Sequence, residues 1–446
     1  MIGLLKRVFG NNMGQAQEVT DTGSVAADAV YRYVVVGAGP AGVSVVENLR
    51  RNDAEGSILL LGDEPEPPYS RMAIPYLLVG KVGETGTHLR QQENHYQALG
   101  IQLRNARVTG IDAAARRVAL SDGSGVQYEQ LCLATGALPI RPPVPGLDQK
   151  RVHHCWTLKD ARHIIELAHE GANVVLMGAG FIGCIILEAL ALRGVNLTVV
   201  EMGDRMVPRM LDPVAGTLLK HWCQERGVAV HTSTRITRVE PNPGNSEDTL
   251  LVDLDNGQQI PAHLVVVAAG VKSNLDYLQD AGLAVDQGIL VNEFLRTSDP
   301  HIYAVGDVAQ GPDFENGDRV VHAIQPTATD HGRIAALNMV GKPTPYRGSM
   351  QMNVLDTLGL ISVSFGEWDG VPGGDQAVLQ DQQGYRYMRL EFDGERLVGA
   401  QCVGRTNHVG VIRGLIEGRV ALGPWKERLK KNPHLIMDAY LACAQR

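Results

Sequence analysis

Apolar positions along this chain fall twice into the same strand–turn–helix–strand order. From residue 31 it reads YRYVVVGAGPAGVSVVENLRR, where a β-branched run, Tyr33 to Val36, enters a glycine-rich turn and then a helical spacing. A second apolar run, SILLLG, follows and ends at Asp63 and Glu64. Residues 172 to 201 repeat the device as ANVVLMGAGFIGCIILEALALRGVNLTVVE. Units of this kind predict an α/β fold with parallel sheets. After residue 345 the period changes. LISVSF, YRYMRLEF and RLVGAQCVG alternate as antiparallel strands do, and NHVGVIRGLIEGRV through WKERLKKNPHLIMDAYLACA reads as helices.

Both turns carry the chemistry of a dinucleotide cradle. In the first, Gly37 makes the tight turn, Gly39 lets backbone approach a pyrophosphate, and Gly42 allows the helix to pack on the strand, with Pro40 and Ala41 opening that helix. Phosphate charge then rests on a helix N-terminus. Asp63 and Glu64 lie where a carboxylate accepts hydrogen bonds from a ribose diol. Gly178, Gly180 and Gly183 repeat the turn, with Phe181 and Ile182 between them, and Glu201 closes the second strand. Glu201 binds a free 2′-hydroxyl and repels a 2′-phosphate, which favours NADH over NADPH, although Arg205 and Arg209 stand nearby to meet a phosphate.

Composition narrows the class. A chain of 446 residues, 44% hydrophobic and 20% charged, predicts two or three globular domains. Gly is abundant and aromatic residues are scarce, as suits α/β units with tight turns. The net charge of −8 leaves no basic footprint for nucleic acid. The six cysteines, Cys132, Cys155, Cys184, Cys223, Cys402 and Cys443, show neither CxxC nor metal-ligand spacing, and scattered thiols fit a reducing, cytoplasmic compartment. The apolar-basic start, MIGLLKRVFG, is too short to span a bilayer. It reads as a frayed end before a polar linker, or as a surface helix whose Lys6 and Arg7 face lipid headgroups.

With these motifs together, residues 31 to 345 resemble the flavoprotein pyridine nucleotide oxidoreductases with two dinucleotide-binding domains. LCLATGALPIRPPVPG (131 to 146), with Ala134, Thr135 and Gly136, is similar to the family's crossing between its FAD and NAD domains. HIYAVGDVAQ (301 to 310) is similar to the late motif in which Gly306 precedes an aspartate, Asp307, that hydrogen-bonds the FAD ribityl chain. The resemblance implies an FAD domain over 29–151 and 271–345, an inserted NAD domain over 152–270 whose last strand, LVVVAAG, ends at Gly270, and a C-terminal α+β interface domain over 346–446. Residues 1–28 form an extension. QPTATDHGRIAALNMVG begins a helix whose N-terminus points at the flavin ring in the family, making Pro326, Thr327 and Ala328 ring neighbours. Arg71 is the expected FAD contact from PYSR. His322 and His331, which bracket that helix, are candidate proton donors.

The stretch PPYSRMAIPYLLVG most resembles the nitrite reductase flavin module and the ferredoxin and rubredoxin reductase branch. Disulfide reductases of the family carry CxxxxC on the first fingerprint helix, and NADH oxidases a single cysteine at the position of Tyr76. Both are absent here, so no protein group is expected to relay electrons as a thiol, and the chemistry is flavin-centred. Ferredoxin reductases of this type have Lys at the Tyr76 position and Glu at the Ile185 position. Losing both leaves a neutral nicotinamide channel, with Glu188 a turn further on. The resemblance therefore implies hydride transfer from NADH to FAD and electron delivery to a small redox protein such as a ferredoxin, a rubredoxin or another iron–sulfur partner. Lys426, Arg428, Lys430 and Lys431 are candidate docking charges, and the C-terminal domain a homodimer interface. Two alternatives stay open: a membrane-associated NADH:quinone or NADH:oxygen reductase, and a flavin-binding regulatory subunit without turnover.

Overall fold

The computed structural model describes residues 29–243 and 249–444. The apolar-basic segment of residues 1–10, with its membrane reading, lies outside them. Six strands form the first sheet in the spatial order 101–105, 58–62, 30–36, 125–133, 117–120, 108–112, and the late strand Ile302–Ala304 joins it beside Gly125–Leu133. Strand Val30–Val36 is central and parallel to both neighbours. Val34 and Val35 are fully buried, which explains a continuous apolar run where a one-faced strand would alternate.

A second, five-stranded parallel sheet runs 229–231, 196–200, 173–177, 264–267, 152–154. Its edge strand contains His153 and His154; His153 stacks on His163 with centroids 4.7 Å apart. A two-stranded ladder of Ala137–Pro139 with Val271–Ser273 carries the chain between the two sheets. A third large sheet is antiparallel in the order 352–357, 360–366, 396–403, 386–393, 375–381. Helices Val409–Glu417, Pro424–Lys431 and Ile436–Cys443 cover one face of it.

Glycine permits each of these first two sheets to meet its helix. Gly37 has φ +111, and a Cβ there would lie 2.1 Å from the Ala134 carbonyl oxygen. Gly178 has φ +104 and faces the Ala268 oxygen in the same way. Side chains at Gly42 and Gly183 would strike the oxygens of Gly37 and Gly178, at 1.9 and 2.3 Å. The third glycine of each turn is thus needed for contact between helix and turn.

Candidate active site

A cavity of about 520 Å³ opens at the carboxyl end of the first sheet and reaches to the edge of the second. Gly37, Gly39, Pro40 and Ala41 floor it at the start of helix Pro40–Asn52. That helix has no side-chain cap, so its first N–H groups are open to a ligand. A Cβ on Gly39 would meet nothing within 4 Å, which leaves room for a group against the backbone. Asp63, Glu64, Arg71, Ala134, Thr135, Gly136, Gly306, Asp307, Pro326 and Ala328 complete the wall expected from the motifs.

Asp307 brings a buried carboxyl to the cavity. Its carboxyl makes no hydrogen bond among the described residues, and burial pushes its pKa up to about 6, against the lowering pull of Arg71. A carboxylate placed this way suits the hydroxyls of a polyol chain. The open helix terminus suits a pyrophosphate. The residues present therefore fit FAD.

Other expected groups take different places. Thr327 is buried and turned from the cavity, with its hydroxyl 2.8 Å from Ser349 Oγ, because successive helical residues point about 100° apart. Of the three expected ring neighbours, the wall keeps Pro326 and Ala328. Neither His322 nor His331 lines the cavity, so neither is placed to protonate a ligand there. His331 Nδ1 accepts the Gly306 N–H at 3.3 Å, and burial drives its pKa down to about 3, leaving it neutral. His322 Nε2 lies 3.0 Å from Asp313. Tyr76 is 54% exposed and outside the wall, whereas Met72, Pro75 and Ile185 belong to it. The short helix Ile74–Leu78 turns Tyr76 outward.

Sequence reasoning missed part of the wall. Asn274, Asp276 and Tyr277 reach in from the return connection, and Tyr277 OH lies 3.0 Å from Thr135 Oγ1. Cys155 and Trp156 come from the edge of the second sheet and share no motif with the glycine loops. Cys155 is the cysteine that lines the cavity, yet burial raises its pKa to about 12 and keeps it a thiol. A protonated thiol is a poor nucleophile.

The second loop lies beside this cavity. Phe181 and Ile182 belong to the cavity wall, while Gly178, Gly180, Gly183, Glu201 and Gly270 do not. Helix Phe181–Leu192 again lacks a side-chain cap, and Gly180 has open space where a Cβ would be. Glu201 accepts the N–H groups of Ala179 and Gly203 at 2.6 and 2.7 Å. These bonds fix its carboxylate at the end of strand Asn196–Val200, with lone pairs left for a diol. Arg205 donates instead to the Leu211 carbonyl and to Asp204. Between the two loops the wall is apolar: Ile74, Phe181, Ile182, Ile185, Met352 and Val354.

The profile of the pyridine nucleotide-disulphide oxidoreductases matches residues 31–328. The chain belongs to that family. Among curated relatives, the epsilon subunit of NADH-dependent phenylglyoxylate dehydrogenase from Aromatoleum evansii is 32% identical over 90% of this chain and 95% of its own. The rubredoxin-NAD(+) reductase of Pseudomonas putida is 28% identical over 86% and 98%. Among solved structures, the covalent putidaredoxin reductase–putidaredoxin complex is similar with a TM-score of 0.84 and 27% identity, covering 93% of this chain and 99% of that one. Like its family, this oxidoreductase carries two glycine-loop folds. Among the described residues no helix is long and apolar enough to cross a membrane.

Proposed function

We propose that this chain is an FAD-dependent NADH oxidoreductase that passes electrons to a small redox protein without a redox-active disulfide. Bound FAD supplies the hydride acceptor and releases electrons one at a time. The observation that carries the reading is Asp307, a carboxyl facing the cavity without a hydrogen-bond partner among the described residues, beside an uncapped helix terminus.

The chain's own groups have distinct tasks. Asp307 and the Gly37–Gly42 loop hold the polyol and pyrophosphate of FAD, with Asp63 at the ribose end. Pro326 and Ala328 open helix Gln325–Met339 at the ring, where the helix dipole favours negative charge. Glu201 and the Gly178–Gly183 loop hold NADH, with NADPH disfavoured by the carboxylate. The apolar wall between the loops excludes water from the nicotinamide. The same reading divides the chain into FAD (29–151 and 271–345), NAD (152–270) and C-terminal (346–446) domains, a division supported by one large sheet in each.

The acceptor is a small electron carrier or a partner subunit. Similarity over 90% of the chain to a subunit of an NADH-dependent dehydrogenase favours the second form. Lys426 and Lys430 both pair with Asp375, so that basic run carries less free charge for docking than its sequence suggests. Homodimerisation through the C-terminal domain and peripheral membrane contact through residues 1–10 belong to the same proposal; sizing by light scattering and vesicle flotation of chains with and without residues 1–10 test them. The functional reading is tested with a variant in which all six cysteines are replaced. It should still couple NADH oxidation to reduction of a small iron–sulfur protein. Loss of that coupling, with FAD retained, would mean a thiol is required.

A further inference from the structure

The hairpin of strands Met352–Thr357 and Leu360–Gly366 joins the cavity to the second sheet's helices. Met352 and Val354 stand in the cavity wall. At the far end of the same strand the chain reverses through Leu358, at φ +53, and Gly359, at φ +85. Turns of this kind take glycine or asparagine, because a side chain in the left-handed region is strained. A leucine persists there only if its surroundings hold it.

Three contacts do so. The Leu358 side chain packs against the hydrophobic cluster that the second sheet and its helices share with the C-terminal sheet. Trp222 Nε1 donates to the carbonyl oxygens of both Thr357 and Leu358, 3.1 Å from each. The Leu358 backbone N–H faces the Glu188 carboxyl, whose pKa is raised by burial and by Asp356 and pulled back by that N–H and by Lys81. Trp222 is itself clamped, with Arg226 over its ring and Tyr385 edge-on at 4.9 Å. Glu188 lies on helix Phe181–Leu192, on the stripe that puts Phe181 and Ile185 into the cavity.

We propose that the Leu358 turn is a latch: Trp222 and Glu188 hold it so that Met352 and Val354 form a fixed wall against the nicotinamide end of NADH. Leu358, Trp222 and Glu188 are then positioning residues. The inference rests on the reading that NADH occupies this mouth. Helix Phe181–Leu192 supplies one side of the mouth and one jaw of the latch. The strand carries the turn's position to the other side, since packed elements shift as rigid pieces.

The test uses the FAD-loaded full chain with ferricyanide as acceptor. Trp222→Phe keeps the ring and removes the N–H. In this variant, hydrogen exchange of a peptide spanning residues 352–360 should accelerate about five- to ten-fold. The KM for NADH should rise by about the same factor, while kcat and FAD retention stay within about two-fold. Glu188→Gln still offers an oxygen to the Leu358 N–H and should resemble the parent, unlike Glu188→Leu. If Trp222→Phe does not fold, Leu358→Ala gives the same readout, since it keeps a side chain in the left-handed region and removes the apolar anchor. Faster exchange with an unchanged KM would overturn the proposal, as would a joint fall in kcat and FAD retention, which indicates general loosening. If NADH failed to reduce even the parent protein, the functional reading would fall with it. Faster exchange in Trp222→Phe would then still report the latch, which keeps the two failures apart.

Discussion

Nη2 of Arg71 lies 2.6 Å from Oε1 of Glu64. Its Nη1 reaches the Tyr69 hydroxyl at 3.0 Å and the Trp156 carbonyl at 2.5 Å. The guanidinium therefore joins the end of the second strand to the edge of the second sheet, as well as lining the cavity. A lysine has one nitrogen where this wall needs a planar fork. Arg71→Lys should weaken FAD retention about ten-fold, read by flavin loss during gel filtration. Equal retention would mean that the arginine acts only as a charge.

Asp307 should trade stability against binding. Its folded pKa of about 6 stands above the ordinary 3.8 of an aspartate, so the unfolded chain ionises first as pH rises. The FAD-free protein is then destabilised progressively between those values and fully above pH about 6, by on the order of 3 kcal/mol. FAD-free Asp307→Asn should melt higher than its parent at pH 8 and equally at pH 3.5, yet bind FAD more weakly. A lower melting temperature at pH 8 would mean that Asp307 has a partner in the FAD-free protein.

His331 works in the opposite sense. Its pKa is depressed to about 3 by burial, so the unfolded chain takes up the proton first as pH falls. The stability that the neutral ring contributes is complete above pH about 6.5 and is lost between there and pH about 3, at up to about 1.4 kcal/mol per pH unit. His331→Gln should show a shallower acid limb in urea unfolding. An identical limb would place the acid sensitivity elsewhere.

Glu201 should set nucleotide choice. Glu201→Ala removes the acceptor for the ribose diol and the repulsion of a 2′-phosphate. The KM for NADH should rise at least about ten-fold and that for NADPH should fall, measured with the same acceptor. An unchanged ratio would assign discrimination to another group, such as Arg209.

The legible parts of the molecule were those whose chemistry needs adjacent residues. Gly37, Gly39 and Gly42 had to be close together to build one turn, and Gly178, Gly180 and Gly183 repeat it, so both folds and Asp307's place in the wall could be read from short motifs. Side chains that reach the cavity from elsewhere left no such mark. Cys155 and Trp156 stand there because the edge strand Val152–His154 ends at its rim, and Tyr277 because the return connection passes Thr135. Orientation within an element was also hidden. Thr327 sits between two wall residues but points at Ser349, and Tyr76 beside Pro75 points to solvent. Paired charges hide in the same way, since Asp375 is remote in sequence from Lys426 and Lys430.

Anaerobic rapid mixing of the FAD-loaded protein with NADH, and separately with NADPH, decides whether NADH reduces the flavin without a thiol. The predicted result is fast bleaching of the visible flavin band by NADH, much slower bleaching by NADPH, and no long-wavelength thiolate charge-transfer absorbance. A flavin left oxidised by both nucleotides, or one whose reduction raises a thiolate charge-transfer band, would contradict the account.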